Sequence, residues 1–159
     1  MENPLLELQE YENLQEALKK AKGPVQATGT LDSQKVHLMY WLGKDGGFPW
    51  KLVVTYDDQR AREIYDDFRS FTENVWLYPA KDLLFYSADI HGNLMTRQRI
   101  AVWRHLMEEE EGVVVTTLDG LMDHLLPLVF LKQQAVTVEN GQIMDLDEWK
   151  ERLTALGYE

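Results

Sequence analysis

The sequence predicts an α/β fold, in which a parallel sheet is flanked by helices, and two observations support this class. Short runs rich in valine and leucine alternate with amphipathic segments of about 12 residues, the pattern of βαβ crossovers. Four runs are predicted strands, at residues 25–28, 51–56, 75–78 and 113–116. The 51–56 run is typical of a strand buried on both faces. Each gap between runs is long enough for the crossover that parallel strands require.

The segments between these runs have helical spacing of their apolar residues. Helices are predicted over residues 4–20, 33–42, 61–68 and 94–108, with a short helix before Pro127. Gly23 and Pro24 end the first helix, Ser33 is a candidate cap of the second, and Asp57 or Asp58 caps the third.

Near Pro127 the pattern changes. Residues 135–139 and 142–144 flank Asn140-Gly141, a pair that favours a type I′ turn and therefore a β-hairpin. A last helix is expected over residues 146–156, capped by Asp145 or Asp147. We therefore divide the chain into a first domain, residues 1–126, and the beginning of a second, small α+β domain, residues 127–159, which we expect to be cut short.

Composition narrows the possible functions. The 159 residues carry a net charge of −11 and no cysteine. Disulfides and thiolate metal sites are excluded, and autonomous nucleic-acid binding is disfavoured because the chain gains little by contacting phosphates. The N-terminus is acidic and amphipathic without the features of a signal peptide, and no apolar run reaches the length of a membrane span. A cytoplasmic protein is expected.

The residues from Gln26 to Ser33 lie where the first predicted strand passes into a helix, the place of a phosphate-binding P-loop, G-x-x-x-x-G-K-[ST]. In that register the two conserved glycine positions hold Gln26 and Leu31, and the lysine position holds Asp32. Only Ser33 matches, with Gly29 nearby. A carboxylate there repels a triphosphate, so the segment is interpreted as a degenerate P-loop without a nucleotide site.

No other residues assemble a catalytic or metal site. His37, His91, His105 and His124 lack metal-ligand spacing, and the acidic run at residues 108–111 is interpreted as a solvated helix end. No Ser-His-Asp arrangement or nucleophile elbow is present. We expect no catalytic residue, no metal and no cofactor, and we expect most of the tryptophans, Trp76 and Trp103 among them, to lie in the core.

Taken in order, several segments resemble the N-terminal region of the bacterial transcription-repair coupling factors (Mfd). These are residues 25–33, 52–58 with the helix at 60–68, 78–86 followed by Arg99, 113–121, Pro127, 138–142 and 153–158. That region is similar in turn to the helicase UvrB, a RecA-like domain with an inserted second domain. The resemblance implies that residues 1–126 are a degenerate RecA-like domain 1a and that residues 127–159 begin the inserted domain.

The resemblance also implies a protein-binding role. UvrA would be the partner, mainly through the inserted domain, and other regions of the parent would mask the surface and contact RNA polymerase and DNA. The expected function is a non-catalytic adaptor fragment of an ATP-dependent DNA translocase. Two alternatives stay open: a UvrB-type or other RecA-like NTPase with an atypical nucleotide site, and a free-standing α/β interaction domain.

Overall fold

The computed structural model describes residues 2–80, 89–122 and 145–155, together with residues 127, 129, 130, 133 and 141. At residues 89–96, 152 and 155 it describes the backbone only. Contacts divide the chain into two compact units, residues 1–123 and 124–159. The assignment of these parts to domain 1a and an inserted domain stays a prediction.

Within the described residues of the first unit, three strands form a parallel sheet. They are β1 (Trp50–Thr55), β2 (Val75–Tyr78) and β3 (Gly112–Thr117), in the order β1-β3-β2. The register pairs Trp50 with Gly112 and Val75 with Val113. All residues of the central strand β3 are buried, which explains its uninterrupted valine and threonine sequence. The predicted α/β class is confirmed.

The predicted strand at residues 25–28 is wrong. This segment is not part of the sheet, and Gln26, Ala27 and Thr28 are exposed while only Val25 is half-buried. A strand needs a face that packs on the core, and Val25, the only large apolar residue between Gly23-Pro24 and Gly29, does not supply one. The parallel sheet is therefore observed without the strand that would precede a P-loop, and the RecA-like assignment stays a prediction.

Six helical segments surround the sheet in the first unit's described residues. They are a 3-10 helix (Pro4–Glu7), α1 (Gln9–Lys20), α2 (Asp32–Asp45), α3 (Asp58–Phe68), α4 (Asp89–Glu108) and α5 (Leu118–Leu121). Asp57 is one of the two residues predicted to cap α3. Its side chain accepts a hydrogen bond from the backbone N–H of Arg60 at 2.7 Å, which confirms this prediction. Helix α4 begins five residues before the predicted start, because Gly92 lies inside it at a cost of only about 1 kcal/mol.

Side chains on the two faces of the sheet pack into two separate clusters. On one face, α2 and α3 cover Val113 and Val115, and Phe68 lies in this cluster. On the other face, Val114 packs with Val102 of α4 and with partly buried tryptophans, Trp50, Trp76 and Trp103. The core positions predicted for Trp76 and Trp103 are thus confirmed.

Strand β1 is less buried than its sequence suggested. Leu52 and Val54 are 59% and 44% exposed, although both were expected inside a strand buried on two faces. The helix on their side of the sheet, α4, packs against β2 rather than β1. An apolar run identifies a strand, but the placement of the helices decides which of its faces is covered.

The N-terminal helix is tied to the end of α2 through one carboxylate. The Tyr11 hydroxyl donates to Asp45 Oδ2 at 2.8 Å, and the side-chain amides of Asn3 and Gln15 donate to the same oxygen at 2.7 and 3.2 Å. Tyr11 is buried although it lies on an otherwise exposed helix. These three donors connect the first 15 residues to α2.

This arrangement makes Tyr11 a late-titrating tyrosine. Burial, and then the hydrogen bond to Asp45, raise the pKa of Tyr11 from 10.0 to about 12. In the unfolded chain the same phenol loses its proton near pH 10, so rising pH favours the unfolded state between about pH 10 and 12. An alkaline absorbance titration should show one of the seven tyrosines ionising near pH 12 in the folded protein.

The matched variant is Tyr11→Phe, which keeps the ring and removes the hydroxyl. In this variant no tyrosine should ionise near pH 12. The free energy of unfolding at neutral pH should fall by about 1–3 kcal/mol, because the lost hydroxyl donates to a carboxylate. If an ionisation near pH 12 persists in this variant, it belongs to another tyrosine.

In the second unit, helix α6 (Leu146–Ala155) is described. Asp145 caps it, because its Oδ1 accepts from the backbone N–H of Asp147 at 2.9 Å. Of the predicted hairpin, only Gly141 lies among the described residues, and its φ of +91° is a turn conformation that favours glycine. No helix in the described parts of the chain is long and apolar enough to cross a membrane.

Candidate functional site

Residues 26–31, the segment predicted to be a degenerate P-loop, lead into α2 along a largely exposed path. Gly29 has a φ of +83°, in the left-handed region where glycine is favoured, and it provides the turn between residues 25–28 and the helix. Gln26 is exposed, and Leu31 is 69% exposed. The two positions that hold glycine in a P-loop thus carry side chains that face solvent.

Helix α2 begins at Asp32, and Leu31 is its N-cap residue. Leu31 has no side-chain oxygen, and its own N–H donates to Gln34 Oε1 at 3.1 Å. Ser33 is therefore inside the first turn and exposed, and the prediction that it caps the helix is wrong. The extended backbone at Leu31, where φ is −73° and ψ is 161°, sets the helix start two residues earlier than a cap at Ser33 would require.

Asp32 belongs to a network of ion pairs. Its Oδ1 lies 2.8 Å from Lys35 Nζ and 3.3 Å from Arg60 Nη2, while Arg60 Nη1 lies 2.8 Å from a Glu63 carboxylate oxygen. The hydrogen bond from Lys35, and then the charge of Arg60, lower the pKa of Asp32. The hydrogen bond to Glu63 raises the pKa of Arg60. Asp32 is therefore charged at neutral pH.

The Asp32–Arg60 pair places the start of α2 at the carboxyl edge of the sheet. Arg60 lies in the first turn of α3, which follows β1 directly, so this turn is at the carboxyl end of that strand. Ligands of open parallel sheets bind at this edge. A helix N-terminus there favours anions, but here it carries a carboxylate, and the two nearby cations are already paired.

A second group of residues lies at the carboxyl ends of β2 and β3. Arg99 is buried, donates from Nη1 to the Pro79 carbonyl oxygen at 2.9 Å and stacks 4.3 Å from the Tyr78 ring centroid. Thr116 Oγ1 donates to the Tyr78 carbonyl oxygen at 2.8 Å. These bonds satisfy the backbone as β2 ends and fix α4 against it, which is a structural role.

Two of the four histidines have described side chains, and both make aromatic contacts. His37 Nε2 accepts from Trp41 Nε1 at 2.9 Å, and its ring stacks on Phe71. The His105 ring stacks on Trp76 with centroids 4.6 Å apart. The side chains of His91 and His124 lie outside the described residues. Among the described residues, no three histidines and acids lie close enough to form a metal site.

The structure thus pairs Asp32 with Arg60, a residue that the sequence analysis did not assign to the loop. Arg60 precedes Glu63 by three residues, so that pair could be read from helical spacing. Its contact with Asp32 joins residues 28 positions apart, and no local signal predicts it. Gln26, Gly29 and Ser33 lie along the same loop but are not among the partners of this network.

Comparison with known proteins supports the resemblance. No protein-family model matches the chain. Over 109 residues, 67% of the chain, it is 25% identical to the transcription-repair-coupling factor of Staphylococcus epidermidis. It is 23% identical over the same length to those of Staphylococcus haemolyticus and Staphylococcus aureus. This chain is related to the transcription-repair-coupling factors.

The matched segment amounts to 9% of each coupling factor, so the chain corresponds to a small part of these relatives. The relation confirms the family resemblance that the order of the sequence segments indicated. The names of the coupling factors describe the whole proteins and not the region that this chain matches.

Proposed function

We propose that this chain is a non-catalytic adaptor region of a transcription-repair coupling factor, acting in transcription-coupled nucleotide excision repair. It would be part of the UvrB-like region that recruits UvrA, in a parent protein that translocates on DNA with ATP. The relation to the coupling factors supports the repair context. The residues at the start of α2 support the absence of catalysis.

The observation that carries the proposal is the ion-paired carboxylate of Asp32. In P-loop proteins the corresponding position is a lysine that meets the β- and γ-phosphates. Here that position is negative, and the neighbouring cations Lys35 and Arg60 already contact carboxylates. An ATP molecule bound at this edge would meet the Asp32 carboxylate instead of a free lysine, and the two cations beside it are already paired, which disfavours binding.

The chain should therefore not bind Mg-ATP. Isothermal titration is expected to give no saturable heat up to millimolar nucleotide, with an active ATPase in the same buffer as the positive control. The variant Asp32→Asn should also be silent, because removing the repulsion does not restore the missing lysine and glycines. A micromolar dissociation constant for the unmodified chain would instead favour the RecA-like NTPase with an atypical site.

UvrA binding tests the partner. We expect weak binding, because the resemblance places the UvrA-facing surface mainly on the inserted domain, of which residues 127–159 would be a part. Cross-linking of the complex with an amine-reactive reagent should modify Lys132 and Lys150 rather than Lys19 and Lys35. Tight binding with cross-links confined to Lys19 and Lys35 would move the recognition surface to the first domain.

A further inference from the structure

A cavity of about 290 Å³ lies at the amino edge of the sheet, opposite the degenerate loop. It is formed by the end of α2 and by the segments that precede β1, β2 and β3. Its charged and aromatic lining residues include Tyr40, Lys44, Phe48, Lys51 and Glu111. None of them takes part in the ion-pair network at the carboxyl edge.

The two lysines of this cavity have no carboxylate partner among the described residues. Within the described part of the chain, neither Lys44 nor Lys51 forms an ion pair, although acidic residues outnumber basic ones by 27 to 16. Lys44 Nζ instead lies 5.1 Å from the ring of Trp41, a cation–π contact that orients the ammonium. Because two lysines and one glutamate line the cavity, its charged lining is net positive in an otherwise acidic protein.

Lys51 is held at the cavity by Gly43. A Cβ atom at Gly43 would lie 2.6 Å from Lys51 Cε, so the stem of the lysine crosses α2 where the helix has no side chain. Glycine inside a helix is destabilising relative to alanine. Its presence in α2 leaves room for the lysine stem beside a buried helix position.

We propose that this cavity binds a small anion, a carboxylate or phosphate carried on a compact apolar body. Lys44 and Lys51 would contact the anionic group, and Tyr40, Phe48 and Val113 would contact the apolar body. The volume of about 290 Å³ is at the small end of the range for ligand sites, which favours a ligand smaller than a nucleoside triphosphate. This site is independent of the proposed adaptor role.

Glu111 is the acidic residue of the cavity lining. Its negative charge opposes the charges of the two lysines. The backbone carbonyl of Glu111 accepts from Asn74 Nδ2 at 3.5 Å, which joins the segments before β2 and β3. Removing the Glu111 charge should strengthen anion binding, whereas removing a lysine charge should weaken it.

The test is a titration of the ¹⁵N-labelled chain with benzoate and with phenyl phosphate, followed by amide chemical shifts. Benzamide, which has the shape of benzoate without its charge, is the control ligand. Saturable shifts at Gly47, Asn74 and Gly112 are expected, with a dissociation constant of about 1–10 mM for probes this small. Binding of either anion supports the site and identifies which anionic group it prefers.

Three variants separate charge from shape. Lys51→Met keeps the stem and should raise the dissociation constant about three- to fivefold, the range of one partly exposed ion pair. Glu111→Gln should lower it, and Lys19→Met, on α1 away from the cavity, should leave it unchanged. Melting curves check that each variant is folded. The proposal is refuted if neither anion saturates, if benzamide binds as tightly as benzoate, or if Lys51→Met and Lys19→Met behave alike.

Discussion

Replacing Phe68 with alanine should lower the free energy of unfolding by about 3–5 kcal/mol, the usual cost of removing a buried phenyl ring and leaving a cavity. Phe68 is 1% exposed at the end of α3. It packs in the cluster that joins this helix to β2 and β3, with Val75 and Val113 among the members. Urea denaturation followed by circular dichroism measures the change.

The matched control is Phe48→Ala, which removes the same atoms from a side chain that is 59% exposed. This variant should change stability by no more than about 0.5 kcal/mol, as is usual for surface substitutions. Similar losses of stability in both variants would mean that the cluster containing Phe68 is not the main core.

Replacing Gly112 with alanine should lower stability by about 1–3 kcal/mol, the range for overpacking in a well-packed region. A Cβ atom at this position would overlap Trp76 Cζ3 and lie 2.9 Å from Trp50 Cζ3. The two indole rings pack with centroids 5.6 Å apart, so neither can easily move away. Urea denaturation measures the loss, and a change in tryptophan emission should accompany it.

Gly43→Ala is the control, because the atoms nearest to its new Cβ, at 2.6–3.2 Å, are Cε, Cγ and Cδ of the flexible Lys51 side chain. The lysine can move, and alanine is favoured over glycine in a helix by about 1 kcal/mol. Stability should therefore stay the same or rise. A loss equal to that of Gly112→Ala would show that glycine is required at both positions for a reason other than contact with the tryptophans.

Much of the fold could be predicted because its signals are local. The valine runs of β1, β2 and β3 and the apolar spacing of α1 and α3 specify these elements within windows of a few residues. Caps behave in the same way, since Asp57 and Asp145 bind backbone N–H groups of the next turn. The position of residues 26–31 just before a helix could also be predicted, because it depends only on order along the chain, whereas the identity of this segment as a degenerate P-loop stays a prediction.

Other features depend on residues that are distant in sequence. Whether residues 25–28 join the sheet depends on the burial of a face, and their exposure shows that propensity alone was insufficient. The central position of β3 depends on pairing across 62 residues, as between Trp50 and Gly112. The ion pair of Asp32 with Arg60 follows from the docking of α2 against α3, which residue spacing does not encode.

The sequence by itself determined the α/β class, the order of β1, α3, β2, α4 and β3 and the negative charge at the start of α2, because each is a property of neighbouring residues. Only the tertiary structure decided which face of β1 is covered, which cations pair with Asp32, and that Lys44 and Lys51 line one cavity. The physical reason is that burial and charge pairing depend on distances between elements, which are set when the helices dock on the sheet.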